Sequence, residues 1–484
     1  YELRDFSKAR ELYRKAWSQN REDEEAFKGV VYSSLRLGDL QGAHTAWDQA
    51  RRERWIPAGT LQAMELHILE AVGASRQALS LARDEKGTDD AHMESLRIDA
   101  AVMQMRWGEV DAAIAELGDI LAKNPGNDRA RRDYIASLRK KDRMEEVLRQ
   151  YEILKESDKD VPYWVTEAVA DAFLYLRKPE EAESFYRLTL EKNPDNPYSA
   201  LMGLFYTCVD LRWWDEGEET LGQVEALLER KKKQLEGDPD VLARKRYLEE
   251  YNELITARGW YLLYQDKLAE GQDFFEHYLK EAGSDTGLRA GLGHAYLWRH
   301  WPRRALEQFE VAENIDADDK AVLTGKAWAL NDLNRKEESR ILADQLFLRY
   351  PTNLHVMDLR ETLRAEDMRR FVPEAWFSKE FDGATEYWLY GTVEIPYSPP
   401  FRPYVQILRQ ETSQDVDGQT LRADWDRVAL GFNWIVTPEI LWQQTLGFDY
   451  LDGGDVGSHT RLTWWPTDPL RISGVFDSFS LAIP

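Results

Sequence analysis

Hydrophobic and polar positions follow two rhythms along this chain, and the change comes near residue 350. Up to there apolar residues recur at three- and four-residue spacing, the period of helices that bury one face. A small residue marks each turn of a longer cycle: Ala9, Ala43, Ala78, Ala113, Ala182, Gly217, Gly271, Ala305 and Ser339, with Val147 in one slot. The intervals are 34 or 35 residues, with a single longer one of 54. Four residues after each mark stands a bulky or apolar residue: Tyr13, Trp47, Ala82, Leu117, Tyr151, Tyr186, Leu221, Phe275, Phe309 and Ala343. Pro125, Pro194 and Pro351 close several units. The small residue lets two antiparallel helices approach, and the bulky one fills the gap between them.

Ten units in register predict a tetratricopeptide (TPR) α-helical superhelix over residues 1–352, in which each repeat buries the face of the next. Gly38-Asp39, Gly108-Glu109, Lys178-Pro179 and Trp301-Pro302 sit where the turn inside a unit belongs. The long interval places its extra residues around Glu229 to Glu250, which predicts a pair of lengthened helices. These carry Arg230-Lys231-Lys232-Lys233 and Arg244-Lys245-Arg246, a pattern read as a solvated helical face or as a basic docking patch. Phe6, Ala9, Tyr13 and Ala16 match the second helix of a unit, so the chain is expected to open inside a domain.

After a polar linker helix at 353–372, the period changes to two. Val428, Leu430, Phe432 and Trp434 alternate with Ala429, Gly431 and Asn433. Ile440, Trp442, Leu446, Phe448 and Tyr450 oppose Gln443, Thr445, Gly447 and Asp449, and Leu462 and Trp464 oppose Arg461 and Thr463. Trp388–Ile395, Phe401–Gln410 and Arg471–Phe479 are further candidate strands, with turns at Ser398-Pro399-Pro400, Asp417-Gly418, Thr437-Pro438, Asp452-Gly453-Gly454 and Thr467-Asp468-Pro469. One apolar face ending in aromatics and one face of small and polar residues predict the N-terminal strands of an antiparallel outer-membrane β-barrel over 373–484. A soluble β-sandwich is the alternative. The fold class is therefore α + β, a solenoid followed by part of a barrel.

Charge narrows the partners. The 87 acids against 63 bases give a net charge of −24, which disfavours nucleic acid, because phosphate binding needs a basic face. From residue 373 onward acids outnumber bases 16 to 7, and Asp426 and Asp449 are expected on or near a lumen-facing surface. No histidine, cysteine or serine constellation with catalytic or metal-ligand spacing occurs, so neither enzyme chemistry, nor a cofactor, nor a metal site is expected. Cys208 lies in an apolar helical run and is expected to be a buried thiol.

Counting back from each mark gives the first-helix positions that line the inner curve of such a superhelix. The unit of Ala182 supplies Trp164, Glu167, Asp171 and Tyr175, and that of Gly217 supplies Tyr206 and Asp210. The unit of Gly271 supplies Glu253, Trp260 and Tyr264, that of Ala305 His294 and Trp298, and that of Ser339 Trp328, Asn331 and Asp332. Rings beside carboxylates suit a sugar polymer, since a flat ring lies against the C–H face of a pyranose while the acids accept from hydroxyls. Packing between repeats is the competing reading for each tryptophan.

Val393-Glu394-Ile395-Pro396 with the Pro403-Tyr404 strand, the run Asp477 to Pro484, and Ala327-Trp328-Ala329-Leu330-Asn331-Asp332-Leu333 resemble segments of the poly-β-1,6-N-acetyl-D-glucosamine export porins. The resemblance implies a periplasmic TPR domain that engages partly de-N-acetylated poly-N-acetylglucosamine and a periplasmic deacetylase partner. It also implies a sixteen-stranded conduit with an electronegative lumen, set in outer-membrane lipid. Carboxylates would then pair with the ammonium groups of deacetylated sugars, and rings would attract the same cations. An exporter of another polysaccharide such as cellulose, or a periplasmic TPR assembly scaffold, is the alternative.

Overall fold

The computed structural model describes residues 5–74, 77, 80, 90–157, 160–236, 240–379, 384–395, 398, 400–416, 419–449 and 456–478. Ala78, Ala82, Asp89, Pro396, Pro399, the Asp417-Gly418 and Asp452 to Asp455 turns, Tyr450 and Phe479 to Pro484 lie outside the described residues.

The first part is helical: α1 (Phe6–Gln19), α2 (Glu24–Arg36), α3 (Leu40–Arg52), α4 (Ala58–Ala71), α5 (Asp90–Arg106), α6 (Val110–Lys123), α7 (Asp128–Arg139), α8 (Met144–Ser157), α9 (Tyr163–Tyr175) and α10 (Pro179–Lys192). There follow α11 (Tyr198–Asp210), α12 (Trp214–Leu235), α13 (Val241–Tyr264), α14 (Leu268–Leu279), α15 (Thr286–Trp298), α16 (Pro302–Ile315), α17 (Lys320–Asp332), α18 (Lys336–Arg349) and α19 (Leu354–Glu366). The chain divides into two compact units, Tyr1–Leu254 and Ile255–Pro484.

In both units the marks are where helices touch. Ala43, Ala113, Val147, Ala182, Ala305 and Ser339 are fully buried. The Phe275 ring, four residues after Gly271, shows why the neighbours must be small. A Cβ on Gly259 or on Gly291 would stand 2.3 Å from that ring, so the aromatic wedges between its own repeat and the next. The turn inside each unit is equally regular. The residue five before the mark is left-handed at Gly38, Gly108, Asp142, Arg177, Arg212, Asp266, His300 and Asn334. Glycine tolerates that conformation and the others are strained by it. Twenty residues before the mark, Asp23, Asn127, Asp285 and Asp319 cap the first helices by accepting backbone N–H bonds, as does Asn353 ahead of α19. The 54-residue interval is absorbed by α12 and α13, of 22 and 24 residues.

The second unit ends in a seven-stranded antiparallel meander: β1 (Arg370–Lys379), β2 (Thr385–Glu394), β3 (Phe401–Val416), β4 (Gln419–Thr437), β5 (Ile440–Asp449), β6 (Val456–Thr467) and β7 (Leu470–Asp477), in sequence order across the sheet. The sequence reading offers no strand before Trp388, yet β1 pairs with β2 from Arg370↔Glu394 to Lys379↔Thr385. Pro373 obscures this strand, and it sits on the sheet edge, where a missing N–H is tolerated.

Register sorts the sheet into two faces. Val405, Leu430 and Leu446 are cross-strand neighbours on one, and Gln406, Ala429 and Gly447 on the other. On the first face Phe371, Phe377, Leu389, Ile407, Leu430, Leu446, Leu462, Ile472 and Phe476 all stand exposed. Leu430, in a central strand, keeps 62% of its surface open. A soluble sandwich would cover such a face; here the apolar side chains point outward, the reverse of a water-soluble sheet.

Candidate functional site

The positions singled out by spacing fall into two groups, one in each unit. In the first unit α9 carries Glu167 and Asp171 one helical turn apart. Both meet Arg139 at the end of α7, which donates to Glu167 at 3.1 Å and also pairs with Asp171. Tyr186 donates its hydroxyl to Asp171 at 2.5 Å, and Ser199 on α11 donates to Glu167 at 2.7 Å. Burial raises the Asp171 pKa, against the pull of Arg139. These two carboxylates are therefore already satisfied by the protein. Trp164 and Tyr175 are half-buried and pack against the core of the α7–α9 region. Tyr206 leans on Phe205 at 5.0 Å between centroids. Asp210 is exposed at the end of α11, 3.9 Å from Arg177, and its pKa is raised by burial of the carboxylate. Glu253 accepts the Tyr198 hydroxyl at 2.9 Å, and its pKa is also raised, chiefly by desolvation.

Arg139 is the residue that the sequence reading missed. The same count that selects Glu167 and Asp171 reaches it when applied to the unit marked by Val147, whose mark is not a small residue.

The second unit looks different. Trp260 and Tyr264, one turn apart on α13, stack at 5.6 Å, and Trp298 at the end of α15 closes on them at 5.9 and 5.8 Å. Beneath lies His294, 5.0 Å from the Trp260 ring and 5.1 Å from Phe309, with its Nδ1–H donated to the Ala290 carbonyl at 2.9 Å. Burial lowers the His294 pKa, so the imidazole is a neutral support for the rings. Tyr264 and Trp298 keep 43% and 39% of their surfaces open. Trp260 is half-buried, and Trp328 packs between two core clusters. Asn331 is buried, donating to Glu366 at 3.3 Å and accepting from Lys336 at 2.8 Å. Asp332, at the end of α17, keeps an open surface, yet partial desolvation of its carboxyl raises its pKa, while Lys336 and His300 draw it down. Three aromatic rings thus form an open platform in this unit, whereas Trp164 and Trp328 take packing positions.

The sheet contributes a polar surface. Asp449 and Arg427 lie opposite each other on the face away from the exposed leucines, joined by two hydrogen bonds of 2.6 and 2.8 Å. Glu394 accepts from Arg370 at 2.9 Å and from Asn433 at 3.4 Å, and Gln443 donates to Asn433 at 2.9 Å. Asp426 does not share this surface. Its alternation matches Val428 and Leu430, and it lies opposite Arg409 at 3.9 Å, so the expected lumen position is corrected to the outward face. The alternation of Val428, Leu430, Phe432 and Trp434 already carries Asp426 onto their face and Arg427 onto the other.

The short-turn end of the sheet is bound to the repeats of its own unit. Asp468, in the β6–β7 turn, accepts the backbone N–H groups of Arg303 and Arg304 at 3.1 and 2.9 Å, capping α16. The Arg303 guanidinium donates to the Trp465 carbonyl at 2.6 Å, and Asn334 donates to the Pro438 carbonyl at 3.0 Å. A carboxylate at a helix N-terminus satisfies orphan donors and the helix dipole together.

No family model matches the chain. It is similar to the poly-beta-1,6-N-acetyl-D-glucosamine export proteins of Escherichia coli strain K12 and of Escherichia coli O157:H7, each 23% identical over 295 residues. Those matches cover 58% of this chain and 36% of each relative, so the matched region spans about a third of the relatives' length. Among solved structures, the chain is similar to a tetratricopeptide repeat protein from Parabacteroides merdae (15% identical, 64% of this chain, 99% of that one, TM-score 0.39). It is also similar to yeast Tom70 (12% identical, 75% and 79% covered, TM-score 0.37).

Proposed function

We propose that this chain guides and exports a sugar polymer across an outer membrane, and that the polymer is partly de-N-acetylated poly-β-1,6-N-acetyl-D-glucosamine. The observation that carries the reading is the two-faced sheet, apolar and exposed on one side, polar on the other. In lipid such a sheet satisfies every backbone group only as part of a closed barrel, with its polar side turned to water. The β4–β5 and β6–β7 turns, bound to the repeats, would face the periplasm, and the opposite end of the strands would face outward.

The platform of Trp260, Tyr264 and Trp298 is the proposed sugar contact. Glu253 and Asp332 are partly desolvated carboxylates that an ammonium group on the polymer would stabilise. The identity of the polymer is supported by the name of the similar export proteins. A deacetylase partner and a pore completed by further strands belong to the same proposal. Isothermal titration of the chain with acetylated and partly deacetylated glucosamine oligomers tests it. Heat with both, and tighter binding of the deacetylated set, is expected; no heat with either would overturn the polymer reading. A neutral polymer binding equally well would favour another exported polysaccharide.

A further inference from the structure

The sugar reading uses only the C-terminal part of α13, from Glu253 to Tyr264; the other end of the lengthened α12–α13 pair, within the first unit, has a distinct surface. Repeat helices elsewhere in the structure run 12 to 17 residues, so these two extend by roughly eight residues, or about 12 Å at 1.5 Å per residue. The extra turns bury little. Val241, Leu242 and Leu248 expose 74%, 58% and 56% of their surfaces, and Tyr251 is exposed beside Tyr247, with ring centroids 6.1 Å apart. Around them stand the exposed Arg230, Lys232, Lys233, Arg244, Lys245 and Arg246. Lys231 turns inward, bonded to Glu250 at 2.6 Å, and Lys245 keeps an exposed pair with Glu249 at 3.7 Å.

Helical spacing decides how these groups are arranged. Val241 and Leu248 are seven residues apart and share a face; Arg244 and Lys245 lie between them on that face, and Tyr251 follows one turn on. Apolar and cationic side chains therefore interleave. A solvated helical face would keep the bases but would not show water two leucines and a valine. Three features match an anionic bilayer surface: aliphatic side chains to enter the acyl boundary, a tyrosine pair for the headgroup level, and bases for the lipid charge. The bases stand out on a chain of net charge −24, which such a surface would otherwise repel.

We infer that the end of the α12–α13 pair docks on an anionic membrane surface, a second lipid contact separate from the sheet and independent of the polymer. The test uses the full chain with Cys208→Ser, so that a single introduced cysteine carries an environment-sensitive dye. Leu248→Cys reports the helix end and Leu430→Cys reports the sheet. Vesicles of phosphatidylcholine alone are compared with vesicles containing phosphatidylglycerol. The dye at 248 is expected to shift to the blue and be quenched by chain-labelled lipid only when phosphatidylglycerol is present. Replacing Arg244, Lys245 and Arg246 by Gln should lower that lipid-contacting fraction about tenfold or more. A dye at 248 that stays water-exposed on both vesicles overturns the inference, whatever the dye at 430 does, and leaves the surface to an acidic protein partner. A shift of equal size on neutral vesicles, unmoved by the triple replacement, overturns it as well. The dye at 430 speaks only to the membrane reading of the sheet.

Discussion

Asp171 on α9 and Trp260 on α13 occupy the same repeat position, each eleven residues before its mark, yet the carboxylates of α9 and the rings of α13 and α15 are in opposite chemical states. In the first unit Glu167 and Asp171 are consumed by Arg139, Tyr186 and Ser199. In the second, Tyr264 and Trp298 stay partly open to water beside the Trp260 ring. A position on the inner helix therefore licenses contact with a ligand without granting it; the residue across the repeat boundary decides. One arginine converts two potential acceptors into a strut, while a histidine of lowered pKa merely props the rings from below.

The sharpest way to break this contrast is Trp298→Ala. Removing an open ring from the platform should weaken oligosaccharide binding about thirtyfold, or about 2 kcal/mol, whereas Trp164→Ala should leave it within about threefold, as titration of both variants would show. Next comes Arg139→Ala. Two partly buried carboxylates lose their cation, and denaturant unfolding should report a loss of about 2 kcal/mol. The same variant should bind partly deacetylated oligomers more tightly than the parent, since Glu167 and Asp171 become available to ammonium groups. Unchanged binding would mean that these acids never belong to the contact surface.

A third test uses pH. Burial pushes Asp133 on α7 up to about 6, against the pull of Arg129. Because the folded state holds this proton more tightly than the unfolded one, the contribution of Asp133 to stability is full below about pH 4 and falls as pH rises toward 6. Thermal unfolding across that window should show the decline, and Asp133→Asn should flatten it. The smallest effect concerns the left-handed turn common to both units. Arg212→Gly and Asn334→Gly should each stabilise by up to about 1 kcal/mol, and Gly108→Ala should destabilise by about the same amount. A different sign in one unit would show that the repeats are not built alike.

Much of the fold can be read from the chain because its causes are local and periodic. Small residues at Ala113 or Ala305 announce helix contact, and the alternation from Val428 to Trp434 announces a strand with two unlike faces. The lengthened helices follow from a single interval of 54. Strand β1 is hidden by Pro373, a residue that sequence patterns count against a strand. The site is less legible. Spacing finds Trp260, Tyr264 and Trp298, but it does not distinguish them from Trp328, whose ring is taken up between two cores. Whether an acid is already paired depends on a side chain some thirty residues away, as Arg139 shows for Glu167 and Asp171.

A stack of repeats is a one-dimensional crystal, and such objects melt from their loose ends. Asp468 holds one repeat against that loosening. By completing a helix 165 positions earlier in the chain, the β6–β7 turn pins α16 from outside the stack. Within the second unit, the hairpin that this turn pins should then be among the last to lose its shape.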